Sequence, residues 1–164
     1  MKQLRINCKE DELYDIVVPI VKNKIFHFTT YRNFNKIKRC GKIVPNSDGE
    51  FKSLLSNHNS YGFKNKWISL FDFSDSNYIE DTYSRYDFCK FDSKGYCVYL
   101  MLDAEKIKEI LIPNSVALAN NGWCIPNTEC WLPSPIGFDL INEVYIVKIT
   151  EYSEITKLFR KLKN

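Results

Sequence analysis

The sequence predicts an α+β fold in one domain that spans residues 1–164. Three observations lead there. Short apolar or alternating runs at residues 24–30, 67–71, 96–102, 129–132 and 143–149 read as strands. Apolar residues at helical spacing recur between them. The two kinds of segment are mixed without regular βαβ alternation, and there is no internal repeat, linker or low-complexity stretch. A length of 164 residues suits a single core of useful size.

The elements follow in order. Met1 to Arg5 leads into polar sequence, not into the apolar run of a secretory leader. Leu13, Ile16, Val17, Ile20 and Val21 repeat as on a helix, which Pro19 ends or kinks. Residues 24–30 alternate. Ile25, His27 and Thr29 share one face, and Phe26 and Phe28 point the other way into a core. Residues 31–39 form a helix through Tyr31, Phe34 and Ile37, with Gly41 as its stop. Residues 46–66 are loop-rich. Within them His58, in Ser56-Asn57-His58-Asn59-Ser60, reads as a loop residue.

Residues 67–71 make a short strand carrying Ser69. Residues 72–93 are acidic and Tyr-rich, and read as a loop with a short helix. Residues 96–102 are a buried strand. Asp103 caps a helix whose Ile107, Ile110 and Leu111 face inward, and Pro113 ends it. Residues 116–123 read as a strand running into the turn Asn120-Asn121-Gly122. Residues 129–132 are a brief strand and residues 143–149 a clear one. Ser153 caps a last helix with Ile155, Leu158, Phe159 and Leu162 at helical steps. Lys157, Arg160, Lys161 and Lys163 fall in its later turns, where the helix dipole favours cations.

Composition narrows the function classes. The net charge of +3 is too small to mark a nucleic-acid binder by itself. Its distribution is uneven. Residues 16–47 hold no acid but carry Lys22, Lys24, Arg32, Lys36, Lys38, Arg39 and Lys42. That basic stretch around His27 suits phosphates, although a solvated helix face has the same composition. Six cysteines without a Cys-x-x-Cys pair, and two histidines, argue against a zinc site and for reduced thiols in the cytoplasm. No apolar stretch reaches membrane-spanning length. Aromatic residues at 15% fill cores and also line pockets for flat ligands.

Two residues stand out chemically. His27 lies on a strand directly before a short helix. Glu129, in Asn127-Thr128-Glu129-Cys130-Trp131-Leu132-Pro133, is a bare carboxylate among aromatic and apolar neighbours. Taken singly, each has an ordinary structural reading: a satisfied strand histidine, and a carboxylate beside a turn.

The run Phe26-His27-Phe28-Thr29, followed by Asn33, Ile37 and Gly41-Lys42-Ile43, resembles the opening motif of ADP-ribosyltransferase-fold proteins. It is most similar to the branch with DNA-modifying toxins and RNA 2′-phosphotransferases. Trp67-Ile68-Ser69-Leu70 resembles their middle strand. Glu129, Pro133, Ile136 and the run from Ile141 to Val147 resemble their closing segment. The three pieces are short, but their order and spacing cover about the whole chain.

The resemblance implies an ADP-ribosyltransferase-like split β-sheet core with short flanking helices. It implies NAD as substrate. Glu129 would be the catalytic carboxylate, stabilising the oxocarbenium-like centre formed when the nicotinamide–ribose bond breaks. His27 and Thr29 would hold the adenosine ribose, and Ser69 would sit beneath the nicotinamide. One of Trp67, Tyr78, Tyr83 or Trp131 would stack on that ring.

The sequence also departs from the family. Asn127 occupies a slot that often holds Gln or Glu in transferases acting on protein side chains. No residue among Tyr78, Tyr83, Arg85 and Tyr86 aligns cleanly with the family's middle motif. The acceptor, DNA, RNA or protein, is left open. A toxin with a partner antitoxin is a fold-level analogy. Two alternatives stay beside the transferase. One is an RNA 2′-phosphotransferase-like enzyme, for which five arginines are few. The other is a non-catalytic nucleotide- or nucleic-acid-binding domain.

Overall fold

The computed structural model describes residues 1–46 and 59–162; His58 lies outside the described residues. The elements run β1 (Lys2–Lys9), α1 (Leu13–Val21), β2 (Ile25–Thr29), α2 (Tyr31–Cys40), β3 (Lys42–Ile43), α3 (Tyr61–Lys64), β4 (Ile68–Asp72), α4 (Ile79–Tyr86) and β5 (Tyr96–Leu102). They continue with α5 (Ala104–Ile107), α6 (Asn114–Ala119), β6 (Glu129–Leu132), β7 (Ile136–Gly137), β8 (Ile141–Glu151) and α7 (Glu154–Leu162). The class is α+β, as the mixed pattern predicts.

Six strands form one open sheet in the order β1-β8-β5-β2-β4-β6, and β3 pairs with β7 separately. All pairings are antiparallel except β1 with β8. Facing residues share a side of a sheet, so register sorts the core into two layers. On one side Phe26, Phe71, Tyr99, Met101 and Val147 pack with Leu13, Val17 and Val21 of α1 and with Phe73 and Phe88. On the other, Ile25, Leu70, Val98, Leu100 and Val144 pack with Phe34 of α2, Ile107 and Ile136. The all-apolar run of β5 serves both layers at once. Buried Tyr99 keeps its hydroxyl satisfied by donating to the Phe88 carbonyl, at 3.0 Å.

Local signals explain most boundaries. Thr30 Oγ1 accepts from Asn33 N at 3.1 Å and starts α2, and Gly41 ends it with φ +70°. Ser153 Oγ accepts from Thr156 N at 3.2 Å and starts α7. Pro19 stays inside α1, which runs on to Val21. All six cysteines are free thiols, five of them buried. Burial pushes the Cys97 thiol up to about 12, so it stays protonated.

Four expectations need correction. Residues 2–9, assigned no element from the sequence, form edge strand β1 through the alternation of Leu4, Ile6 and Cys8. Residues 116–123 are not a strand: residues 114–119 form α6, and its end is closed by Gly122 N donating to Ala117 O at 2.8 Å. The loop-rich stretch contains the single turn α3, capped by Ser60 Oγ accepting from Phe63 N. The helix after Asp103 is short, and Ile110 is 45% exposed instead of facing inward.

Two glycines separate backbone strain from crowding. Gly41 has φ +70° with open space where a Cβ would stand. Gly95 has φ +79°, and a Cβ there would strike the Tyr152 hydroxyl and come within 3.3 Å of the Ile149 carbonyl. Gly41→Ala is expected to cost about 1 kcal/mol from the left-handed backbone alone. Gly95→Ala should cost visibly more. Urea unfolding of the two variants checks the ranking.

Candidate active site

The candidate residues converge where two central strands part company. The β2–β4 ladder consists of Ile25↔Asp72 and Phe26↔Phe71. One residue further along β2, the His27 ring takes over: its Nδ1 lies 3.1 Å from the Ser69 carbonyl oxygen. A carbonyl only accepts, so Nδ1 carries the proton. Burial lowers the imidazole pKa against the opposing pull of that hydrogen bond, which favours the neutral ring with Nε2 as an acceptor. Thr29, two residues on, is buried on the same strand face.

Glu129 opens β6 directly opposite Phe71 and is only 5% exposed. Its Oε2 accepts from Ile125 N at 2.9 Å, and its Oε1 accepts from Trp131 Nε1 at 3.2 Å. The Ser69 hydroxyl is a third hydrogen-bond partner. Desolvation raises the carboxyl pKa, and these three donors pull it back down. Ser69 is therefore the connection. Its backbone holds His27 and its side chain holds Glu129.

Register adds a constraint. His27 faces Leu100 and shares its side of the sheet, whereas Glu129 faces Phe71 on the other side. A single ligand touching both has to lie across the fork between β2 and β4.

Trp67 belongs to this site. It packs edge-on to Tyr61 at 5.6 Å and tilted to Trp131 at 6.5 Å, and Tyr61 in turn meets Trp131 at 5.6 Å. Trp131 is fully buried, which makes it a donor to Glu129 and not a surface for stacking a ligand. Gly62 caps the group: a Cβ there would strike Trp131 Nε1 and stand 2.7 Å from Ser69 Oγ. Tyr78 is 37% exposed on a 3-10 turn before α4. Tyr83 packs on Tyr14 at 4.4 Å, beside a groove of about 210 Å³ lined by Glu10, Asp11 and Asp87. Arg85 pairs with Asp81 at 3.0 Å. Helix α4 reaches the Glu129 loop by other residues, through Thr82 Oγ1 with Thr128 Oγ1 at 3.2 Å and Tyr86 edge-on to Trp123.

Sequence reasoning missed the residue that shapes this loop. Asn114 Nδ2 donates to the carbonyls of Ile125 at 2.9 Å and Glu129 at 3.0 Å, and Asn114 Oδ1 accepts from Asn127 N at 3.2 Å. The clamp folds residues 125–129 back so that Ile125 N reaches the Glu129 side chain. Asn127 takes the left-handed backbone this needs, with φ +63°. Pro113-Asn114 gives no sequence signal of this role, since Asn114 is the first helical residue and not the N-cap, which is Pro113.

No protein-family model and no curated protein matches this chain. Among solved structures it is similar to Protein CC0527 from Caulobacter crescentus and to a double mutant of that protein. Each is 13% identical with a TM-score of 0.44, over 74% of this chain and 83% of that one.

Two outcomes follow. Asn114→Ala removes three hydrogen bonds to the loop backbone at once, although the Ile125 carbonyl keeps Glu129 N as a donor at 3.2 Å, and is expected to cost about 2 kcal/mol, read as a lower urea midpoint. For Glu129, a raised folded pKa means that the native state keeps a proton the unfolded chain has lost. Its contribution to stability therefore falls as pH rises through the folded pKa. The stability of Glu129→Gln relative to wild type should thus improve as pH rises from about 4, the ordinary carboxyl value, through the higher folded one, measured by urea unfolding at each pH.

Proposed function

We propose that this chain is an NAD-dependent mono-ADP-ribosyltransferase, with Glu129 as its catalytic carboxylate and a nucleic acid or protein as acceptor. The observation that carries this reading is the chain His27–Ser69–Glu129. Three residues singled out on three separate strands meet through one serine at the fork of the sheet. The fork and the separate β3–β7 pair are what support reading the α+β fold as a split ADP-ribosyltransferase-like core.

NAD supplies an activated glycosidic bond whose cleavage leaves positive charge on the ribose. In a site shielded from water, Glu129 stabilises such charge more strongly than an exposed carboxylate does. Neutral His27, with Nδ1 committed to the Ser69 carbonyl, offers Nε2 to a ribose hydroxyl. Thr29 continues that strand face, and Trp67 with Tyr61 offers a half-buried aromatic wall beside Ser69. Nothing in the arrangement assigns Tyr78 to the nicotinamide. Arg32, Lys38 and Arg39 stand exposed on α2, directly after the His27 strand, and suit an acceptor or dinucleotide that carries phosphates.

One observation favours the second reading, a non-catalytic binding domain. Glu129 already has protein donors on both oxygens, as a structural carboxylate would. Nicotinamide release from NAD decides between them, measured with and without single-stranded DNA, RNA or cell lysate. The transferase reading expects release that falls by a factor of about 10² or more in Glu129→Gln, and acceleration by the additive that holds the acceptor. An active His27→Ala variant should instead need more NAD for half-maximal rate. No release from folded wild-type protein under any of these conditions rejects the transferase.

A further inference from the structure

Helix α7 is turned the opposite way from a helix that serves its own core. Its apolar residues Ile155, Leu158, Phe159 and Leu162 fall within an arc of about 100°. They are 69%, 59%, 60% and 74% exposed. The polar side of the helix faces the body. Thr156 Oγ1 donates to Glu10 Oε1 at 2.7 Å, and Arg160 donates to the Ser93 carbonyl at 2.9 Å while its guanidinium lies 3.8 Å over the Tyr152 ring. The Glu10 carboxylate also takes Ser153 N at 2.8 Å, fixing the first turn. The helix is thus held by its hydrophilic face, with a stripe of four large apolar side chains pointing outward.

We propose that a second copy of this chain covers the stripe, with the two α7 helices packed antiparallel across a two-fold axis. Charge placement selects this occupant. Glu154 and Lys161 flank the same edge of the stripe, one near each end of the helix. A two-fold axis perpendicular to antiparallel helices keeps that edge on the same side in both copies. It brings Glu154 of each copy, which also pairs with Lys157 of its own helix at 2.7 Å, within reach of Lys161 of the other, twice over. The antiparallel dipoles also oppose favourably.

Area agrees with this choice. Four half-to-three-quarters exposed side chains present on the order of 400–500 Å² per copy. Two copies together come close to the roughly 1,000 Å² at which specific interfaces begin. A lipid surface fits less well. It would want the cations splayed beside the stripe, whereas Arg160 is spent on the Tyr152–Ser93 contact and Glu154 sets an acid on the edge it shares with Lys161.

Sedimentation equilibrium of the full chain over a range of concentrations tests the proposal. Wild type is expected to approach twice the 19.3 kDa chain mass with rising concentration. Leu158→Glu should stay monomeric with an unchanged melting temperature. Glu154→Lys should weaken the dimer at least tenfold, and Glu154→Lys combined with Lys161→Glu should restore it. Leu158 and Lys161 are exposed, and because Glu154 pairs with Lys157 in the first turn, the melting temperature of each Glu154 variant is read beside its association to separate helix loss from interface loss. Wild type that is monomeric throughout, Leu158→Glu that still dimerises, or a charge reversal that fails to restore association would each overturn the proposal. Binding of monomeric protein to phosphatidylserine vesicles would overturn it in favour of a membrane. The outcome does not depend on NAD chemistry, so it stands or falls apart from the transferase reading.

Discussion

A carboxylate removed from water must be given donors, and much of the molecule's second half is arranged around that requirement at Glu129. Leaving such a group unpaired costs several kcal/mol, comparable to the net stability of a small domain. The chain meets the demand locally. Ile125 N comes from the turn before β6, Trp131 Nε1 from the strand itself, and Ser69 from the neighbouring strand. Each donor fixes something larger. The Ile125 bond requires the loop to fold back, which requires the Asn114 clamp and so the start of α6. The Trp131 bond requires a fully buried indole, which Tyr61, Trp67 and Gly62 enclose. The Ser69 bond depends on the β4–β6 register, since a slip of one residue would turn the hydroxyl to the other face.

The same serine limits how the sheet can close on its other side. Beyond Phe26↔Phe71 the strands β2 and β4 do not continue as a regular ladder, and the His27 ring bonds the Ser69 carbonyl instead. An imidazole in place of a strand-to-strand hydrogen bond leaves a fork in an otherwise continuous sheet. Ligand sites of α/β sheets fall where the regular strand order is interrupted. Here the interruption falls between the histidine and the carboxylate.

Legibility in the sequence tracked how local the cause was. The strands at residues 96–102 and 129–132 emerge at their observed bounds, because an unbroken apolar run and a short run ended by Pro133 are local signals. Helix α2 was nearly as readable, as residues 31–39 with Gly41 for a stop against the observed Tyr31–Cys40. The register that joins Ser69 to Glu129 and His27 was not readable, because pairing partners 60 and 42 residues away leave no mark in either strand alone. Asn114 was invisible for the same reason, since its three partners are loop backbone groups whose identity is irrelevant to the contact. Residues 116–119 misled because Val116, Ala117 and Leu118 suit a strand as well as a helix. The turn at Gly122 and the pairing of Ile112 with Trp131 decided the matter in three dimensions.

Helix α7 shows the converse. Its start, its stripe and its basic last turns were all legible, yet periodicity says only that a helix has an apolar side. It does not say which side the protein will hold. That is decided by two contacts from distant sequence, Glu10 with the first turn and Ser93 with Arg160. Both core layers are already filled, by α1 with Phe73 and Phe88 on one side and by α2 with Ile107 and Ile136 on the other. An amphipathic helix held by its polar face is a feature that binding can explain and folding alone cannot.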